Sequence, residues 1–367
     1  MGNDRSMNDG LLTPLTFANG RTAPNRLWVA PMTNKSSHED GSLSDDELGF
    51  LVARAAGGFG TIESCASHVS LDGQGWEGEF GMFSDTLQSD WQRLAREVQA
   101  HGSLLIGQAY HGGARAARLP GRPVPWSCSP SGSEEPEVSG ASVARIEDTI
   151  TAFAEAAHRL ASAGVDGIEL HGAHGYLLCQ FLSSVLNRRT DEWGGSLENR
   201  ARLLRRTMRA SKAAAGEEFI IGVRLSPESS PSVPGLDFDE SLQVANWLCE
   251  DGADFIHISL WDAAKNSEKY PSQHPARIFR DALPANVPLI TAGDIWTVED
   301  ARRQLDHGAD AVALGRAAIA NPDWPTRVAA RGDSPSRPPL TTEQLRACVL
   351  GPAFIEYMRR WDGFVAD

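Results

Sequence analysis

Cysteine is scarce in this chain and never occurs as a close pair. The 367 residues contain five cysteines and no Cys-x-x-Cys motif; they are Cys65, Cys128, Cys179, Cys249 and Cys348. This spacing does not match the ligand patterns of zinc sites or iron–sulfur clusters, so no metal centre is expected. The odd number indicates free thiols in a reducing compartment.

Long apolar runs and basic stripes are missing as well. No segment approaches the ~18 apolar residues of a membrane span. Residues 1–10 are polar and lack the core of a signal peptide. The chain has 48 acidic against 34 basic residues, and its net charge of −14 is scattered. Because no basic stripe could displace counterions, a nucleic-acid partner is not expected. We expect a cytoplasmic protein with no membrane partner.

What the chain does contain is a regular alternation of strand-like and helix-like stretches. Short apolar runs predict strands at 27–30, 60–63, 104–108, 167–171, 219–223, 255–258, 288–291 and 311–314. Helices are predicted at about 45–56, 88–101, 145–163, 239–251 and 298–307, and after the candidate cap Ser196. Eight such units predict an α/β fold, a (β/α)₈ TIM barrel. An open doubly wound sheet is the alternative, but no Gly-x-Gly-x-x-Gly follows the first strand.

The start of the chain predicts a β-hairpin. Asn19-Gly20 follows an apolar run, and Asn-Gly is the strongest short hairpin signal. The hairpin is expected to cap the N-terminal mouth of the barrel. We predict one barrel domain over residues 11–332, which follows a flexible tail over 1–10.

The end of the chain, residues 333–367, is predicted to be a C-terminal tail or arm. It is rich in proline at first and then predicts a helix or an arm from Thr342 to Arg360. This segment would either reach the site of a second copy in a homo-oligomer, where Arg359 or Arg360 could contribute, or fold back on its own barrel.

The residues that could do chemistry lie after the predicted strands, because barrel active sites form at the carboxyl ends of the strands. They are Thr33, Gln108, His171, His174, Tyr176 and Arg224. An arginine at the end of a buried strand needs an anionic partner. The two histidines could be catalytic, structural or metal ligands, although no third ligand follows at zinc spacing. Tyr176 alone would more often be a packing residue.

A phosphate site is predicted after strands seven and eight, where barrels usually bind phosphate. Gly293 and Gly315 let backbone amides approach an anion, and Arg316 can bind it through two N–H groups. The alternative is that the glycines only turn the chain and that Arg316 caps a helix.

Several longer motifs carry a resemblance to a known family. They are NRLWVAPMT at 25–33, GQAYHGG at 107–113, HGAHGYLLCQFLSSVLNRRTDEWGGSLENRARL at 171–203, TAGDI, and ALGRAAIANPDWP. Over residues 11–330 the chain resembles the old yellow enzymes, which are FMN-dependent ene reductases. The resemblance implies a barrel that holds FMN and takes electrons from NAD(P)H.

The resemblance also implies roles for individual residues. Ala30, Pro31, Thr33, Ser64 and Gln108 would lie along the flavin, Arg224 would face N1 and the C2 carbonyl, and Gly293, Gly315 and Arg316 would hold the phosphate. His171 and His174 would bind the carbonyl or nitro oxygen of an activated alkene such as an enone, enal or nitroalkene. The flavin N5 would deliver hydride, and Tyr176 would protonate the α-carbon.

The chain departs from the family pattern at several positions. Thr33 stands where one branch has cysteine, so tuning of the flavin by a thiol is not expected. Lys35 replaces an aromatic residue that contacts substrate in some relatives, and a hydroxyl at Ser64 could alter the redox balance. Trp261-Asp262 would line the mouth, or Trp261 would simply pack.

Two other functions fit parts of the pattern. One is a barrel enzyme that acts on a phosphorylated metabolite without flavin, which leaves Gln108 and Arg224 without a task. The other is a flavin-binding protein that has lost turnover, against which Tyr176 and the two histidines speak. Fold alone decides neither alternative.

Overall fold

A closed barrel of parallel strands forms the centre of the molecule. The computed structural model describes residues 10–131, 137–230 and 233–367. Within them, eight parallel strands close in the order β10-β11-β12-β3-β4-β5-β8-β9, with strands numbered along the chain. The strands are β3 (Leu27–Val29), β4 (Thr61–His68), β5 (Leu104–Tyr110), β8 (Gly167–Gly172), β9 (Ile220–Leu225), β10 (Phe255–Ser259), β11 (Leu289–Ala292) and β12 (Ala311–Leu314). The predicted TIM barrel is confirmed.

The helices connect these strands on the outside of the barrel. They are α1 (Asp45–Ala56), α2 (Gln88–Gln99), α3 (Val143–Ser162), α4 (Leu177–Leu182), α5 (Leu197–Ala215), α6 (Phe238–Glu250), α7 (Pro275–Ala282), α8 (Val298–Asp306), α9 (Arg316–Ala320), α10 (Thr342–Ala347) and α11 (Pro352–Met358). Ser44, Ser142 and Ser196 cap α1, α3 and α5 through their side-chain oxygens, which accept otherwise unpaired backbone N–H groups. The six helices predicted between the strands are present as α1, α2, α3, α5, α6 and α8, whereas α4, α7 and α9 were not predicted.

A short hairpin of β1 (Leu15–Thr16) and β2 (Thr22–Ala23) covers the N-terminal mouth, as predicted. Phe17 packs against Trp28 and Phe255 inside the barrel, with ring centroids 6.2 Å from each. Gly222 makes room for this cluster, since a Cβ there would lie 2.1 Å from the Phe255 ring. The mouth opposite the active site is therefore closed by an apolar plug.

The loop between β5 and α3 carries two further strands, which were not predicted. They are β6 (Trp126–Ser127) and β7 (Ser139–Gly140), and they pair in parallel. Part of this loop lies outside the described residues, as do residues 1–9, on which most of the predicted N-terminal tail falls.

The C-terminal segment packs on its own barrel. Phe354 lies edge-on to Phe50 of α1 with ring centroids 5.0 Å apart, and Leu345 and Phe364 are also buried. The segment 342–360, predicted to be a helix or an arm, forms two short helices. It breaks between α10 and α11, where Val349 takes a left-handed backbone (φ 61°) and Pro352 starts a new helix. Contact of this segment with a second copy, like the domain boundaries at 10/11 and 332/333, stays a prediction.

No helix among the described residues is both long and apolar enough to cross a membrane. All five cysteines are free thiols, as their number indicated.

Candidate active site

A cavity of about 390 Å³ opens at the carboxyl ends of the strands. Six of the predicted cofactor residues line it: Ala30, Pro31, Arg224, Gly293, Gly315 and Arg316. They come from β3, β9, β11 and β12 or the loops that follow these strands. The barrel therefore brings together residues as far apart in the sequence as Ala30 and Arg316.

One corner of the cavity is suited to a phosphate. Gly293 has φ 149°, and a Cβ there would lie 2.4 Å from the carbonyl oxygen of Leu260, so only glycine fits. The Arg316 guanidinium forms an ion pair with Asp294 and lies 5.7 Å from the Trp361 ring. This cationic corner with close backbone approach fits the phosphate of the expected FMN. The Asp294 carboxylate, which pairs with Arg316, would lie beside the bound phosphate.

Arg224 offers the second feature that fits a flavin. Its side chain is 6% exposed, and its Nε is buried without a hydrogen-bond partner in the described residues. Its Nη2 donates to Ser259 Oγ at 3.1 Å. A buried guanidinium N–H without an acceptor is costly, and a cofactor carbonyl in the cavity would supply that acceptor.

Three predicted cofactor residues, Thr33, Ser64 and Gln108, do not line this cavity. Ser64 donates to the Cys65 carbonyl at 2.8 Å and accepts from the Gln108 backbone at 3.1 Å, so its hydroxyl bridges β4 and β5. Gln108 is buried and donates through Nε2 to Glu169 at 2.6 Å. Thr33 is half-buried in the loop after β3. Their proposed contacts with the cofactor stay predictions.

The two histidines and the tyrosine meet at the end of β8. His171 Nε2 and His174 Nδ1 are 3.3 Å apart, and the Tyr176 ring stands edge-on to His171 at 5.0 Å. His174 has a left-handed backbone (φ 58°), which is uncommon outside glycine. Its backbone N–H donates to Ser226 Oγ and its carbonyl accepts from Arg115, and these bonds hold it there. The local sequence therefore does place the three side chains together.

Burial sets the protonation states of this group. Burial holds the pKa values of His171 and His174 well below their usual 6.5, so both rings are neutral near pH 7. After burial, the largest contribution comes from His174 for His171 and from the charge of Arg224 for His174. Burial also raises the pKa of Tyr176 above 10, although the Arg115 guanidinium, 5.0 Å from its ring, opposes the shift. The site thus holds two neutral imidazoles and a protonated phenol.

An aromatic wall beside Tyr176 was not predicted. Tyr110 lies 4.9 Å from Tyr176, stacks on Trp76 at 5.6 Å, and donates its hydroxyl proton to Glu79 at 2.8 Å. The signal in the sequence was the aromatic residue two positions after Gln108, on the strand whose end was already recognised as part of the site.

A buried polar cluster below the cavity was also missed. Glu169 accepts from His257 Nδ1 at 2.7 Å, and Glu63, 3.8 Å from His257, has no hydrogen-bond partner in the described residues. Burial and the Glu169 charge raise the pKa of Glu63, whereas His257, Arg224 and Gln108 outweigh burial and lower that of Glu169. The signal was a charged or polar residue inside each of three apolar strand runs.

This cluster is a poor place for a metal ion. One ligand atom from each of Glu63, Glu169 and His257 lies within 4.8 Å of the others. However, the positive charge of the Arg224 guanidinium acts on all three groups, and Glu169 already accepts a hydrogen bond from His257 Nδ1. The charge of Arg224 would oppose a second cation.

The remaining predicted residues lie at the rim or outside it. Trp261 is 86% exposed and lines the rim, next to Asp262, which pairs with Lys265. From the C-terminal segment it is Trp361 that reaches the cavity. Arg359 pairs with Glu356, and Arg360 lies against Tyr357.

The fold and the site define a class, a (β/α)₈ barrel with a flavin-type cavity at its carboxyl mouth. A family model described as the NADH:flavin oxidoreductase / NADH oxidase family matches residues 10–333, and the chain belongs to this family. The cofactor is FMN and the reductant is NAD(P)H. A barrel enzyme that acts on a phosphorylated metabolite without flavin does not agree with this membership.

Individual relatives agree with the family assignment. The Bacillus subtilis (strain 168) protein known as "Probable NADH-dependent flavin oxidoreductase YqiG" is 36% identical, and the match covers 87% of each chain. Other relatives are longer, and the chain spans 32% to 50% of their length.

Solved structures agree as well. An old yellow enzyme homologue from Zymomonas mobilis has a TM-score of 0.80 at 27% identity, covering 92% of this chain and 96% of its own. Morphinone reductase in complex with tetrahydroNAD has the same score and identity, with 98% of both chains covered. The resemblance to old yellow enzymes is confirmed.

Proposed function

We propose that the protein reduces the C=C bond of activated alkenes such as enones, enals and nitroalkenes. The observation that carries this proposal is the group of His171, His174 and Tyr176, which Ser259 connects to Arg224 in the wall of the cavity. Bound FMN supplies the hydride, which it takes from NAD(P)H. Morphinone reductase, a structural neighbour, binds tetrahydroNAD, which supports a nicotinamide at the same place.

The histidine pair would bind the substrate oxygen. Its two facing nitrogens are 3.3 Å apart, and both rings are neutral because burial lowers their pKa values. An N–H group aimed at a carbonyl or nitro oxygen stabilises the negative charge that develops there when the β-carbon accepts hydride. The same binding holds the alkene in one orientation.

Tyr176 would then complete the reduction by giving its proton to the α-carbon. Its raised pKa keeps the phenol protonated at neutral pH, and Arg115 over the ring limits that rise so that the proton can still leave. The Tyr110 ring beside it keeps water away from this side of the site.

The chain's own groups would hold the cofactor. Arg224 would donate its free Nε–H to the pyrimidine edge, where negative charge accumulates on reduction, and Gln108 would bind the same edge. Gly293, Gly315 and Arg316 would hold the phosphate. Ala30, Pro31 and Thr33 would line one side of the ring and Ser64 would lie near it. A homo-oligomer and a cytoplasmic location stay predictions from the sequence.

The test is a titration without oxygen. The purified protein should contain FMN, NADH or NADPH should bleach its yellow absorbance, and 2-cyclohexenone should restore it with formation of the saturated ketone. A protein that NAD(P)H reduces but that enones, enals and nitroalkenes all fail to reoxidise would contradict alkene reduction, while FMN and NAD(P)H use would stand.

A further inference from the structure

Ser259, at the carboxyl end of β10, lies between the arginine and the histidine pair. Its Oγ is 2.6 Å from His174 Nε2 and 3.1 Å from Arg224 Nη2. The three side chains come from β10, the loop after β8, and β9. This one hydroxyl thus connects the proposed cofactor-binding arginine with the proposed substrate-binding histidines.

The direction of one of these bonds is certain and favours the direction of the other. A guanidinium has only donors, so Ser259 Oγ accepts from Arg224. Accepting from a cation makes the hydroxyl a better donor, because hydrogen bonds in a chain polarise one another. The neighbour in reach of its proton is His174 Nε2. If Ser259 donates there, the neutral His174 ring carries its own proton on Nδ1.

The tautomer of His171 follows from a separate contact. The Ala173 backbone N–H donates to His171 Nδ1 at 3.3 Å, so that nitrogen is an acceptor. The proton of the neutral ring is then on Nε2, which faces His174 Nδ1 at 3.3 Å. Burial and nearby positive charge keep both rings neutral, so each has one proton to place.

The two possible tautomers of His174 have opposite consequences for substrate. With the proton on Nε2, His174 Nδ1 would accept from His171, and the pair would satisfy itself. With the proton on Nδ1, two N–H donors face each other across 3.3 Å and neither can accept from the other, so both need an acceptor such as a substrate oxygen. The second arrangement is a preorganised binding site for a substrate oxygen.

We propose that Ser259 is a positioning residue whose hydroxyl, oriented by Arg224, holds the His174 proton on Nδ1 and so keeps the histidine pair open for a substrate oxygen. This inference deepens the proposed function and rests on it, because the histidine pair is taken as the oxygen-binding group. It involves no covalent step and no change in oxidation state.

The direct test is ¹⁵N NMR of the histidine rings in the oxidised holoenzyme, with His174 assigned by comparison with His174→Asn. In the natural protein, Nδ1 of His174 should give a protonated signal and Nε2 an unprotonated one. Ser259→Ala should reverse the two signals. Ser259→Thr, which retains a hydroxyl on a strand residue, should keep the natural pattern.

A binding measurement accompanies the spectra. A phenol added to the oxidised enzyme should perturb the FMN absorbance, and Ser259→Ala should weaken its binding by about tenfold, the loss expected for one hydrogen bond. Ser259→Thr should restore the affinity to within about twofold. A general loss of structure would lower FMN content in both variants, whereas the proposal requires that FMN content stays at one per chain.

Three outcomes would overturn the role of Ser259. They are a natural protein with its His174 proton on Nε2, a Ser259→Ala variant with an unchanged tautomer, and a Ser259→Ala variant with unchanged phenol affinity. The NMR result does not depend on turnover. Failure of enones to reoxidise the enzyme would therefore reject alkene reduction and leave the tautomer result to be judged separately.

Discussion

At the scale of residues, the site depends on groups whose ionisation has been suppressed by burial. His171 and His174 remain neutral although their ordinary pKa lies near 6.5, and Tyr176 remains protonated. An imidazolium would bind an anion as readily as a carbonyl, whereas a neutral N–H favours a polarisable oxygen without bringing a full charge into the cavity. Neutral donors, rather than charged ones, therefore suit an uncharged alkene.

Tyr176→Phe separates the two half-reactions. Loss of the proton donor should slow reoxidation by an enone by about 10²–10⁴-fold, the usual contribution of a general acid. Reduction by NAD(P)H should change little, because it needs no phenol. Stopped-flow absorbance of FMN measures both steps, and Tyr270→Phe, at a tyrosine that does not line the cavity, is the matched control.

The pH dependence of the same step follows from the direction of the Tyr176 shift. Because its pKa is raised above 10, the phenol stays protonated from neutral pH to about 9. The natural enzyme should thus show a flat alkene step over that range. An equal loss in both half-reactions of Tyr176→Phe would make this tyrosine a packing residue.

The same scale shows what residue patterns can reveal. The segment 171–203 identified His171, His174 and Tyr176 because they are close in sequence. The Glu63–Glu169–His257 cluster was not predicted, because in the sequence each residue is a single polar position within an apolar strand. Ser64 shows a contact that the sequence did not reveal: its hydroxyl bridges β4 and β5 at the irregularity in their pairing, while its suggested effect on the flavin stays a prediction.

At the scale of elements, apolar strands and capped helices were predictable because their signals are local. Ser196 was recognised as a cap, and its side chain does accept from Asn199. The break within 342–360 was not predicted, because it depends on the left-handed backbone of Val349 and on a new helix that starts at Pro352. Periodicity records which face is apolar and does not record whether the backbone is continuous.

Gly222→Ala tests the packing of β9 against the N-terminal plug. Its Cβ would lie 2.1 Å from the Phe255 ring, so the substitution should lower the free energy of unfolding by about 1–3 kcal/mol. Urea unfolding followed by far-UV circular dichroism measures the change. Phe255→Leu should relieve much of the clash, so the double variant should lose less than the sum of the two single losses.

A second glycine serves as the control. Gly49→Ala in α1 places its Cβ 3.6 Å from the nearest atom, Val349 Cγ1, which is an ordinary contact. It should be neutral or stabilise the protein by about 0.4–1 kcal/mol. Equal changes in the free energy of unfolding for Gly222→Ala and Gly49→Ala would mean that the Phe255 ring does not restrict the side chain at position 222.

At the scale of the whole molecule, cofactor and fold should stabilise one another. The cavity takes its walls from both ends of the chain, from Ala30 after β3 to Trp361 in the C-terminal segment. A ligand that binds only this assembled state raises the free energy of unfolding, by about 2.7 kcal/mol at one hundred times its Kd. Removal of FMN should therefore lower the thermal midpoint, and added FMN should restore it.

Riboflavin, which lacks the phosphate, isolates the contribution of the phosphate corner. It should stabilise the stripped protein less than FMN does at equal concentration. Arg316→Ala should remove most of that difference, whereas Arg96→Ala, exposed on α2, should leave it unchanged. Equal stabilisation of the natural protein by both ligands would show that Gly293, Gly315 and Arg316 do not bind the phosphate.

The sequence by itself determined the barrel, the family and the residues that stand next to one another in motifs. These features depend on local periodicity and short-range spacing, which can be read directly from the sequence. The tertiary structure decided that Ser259 meets Arg224 and His174, and that Glu63 faces His257. Such contacts depend on the stagger and tilt of neighbouring strands in a closed barrel, and pairing between strands distant in sequence sets that stagger and tilt.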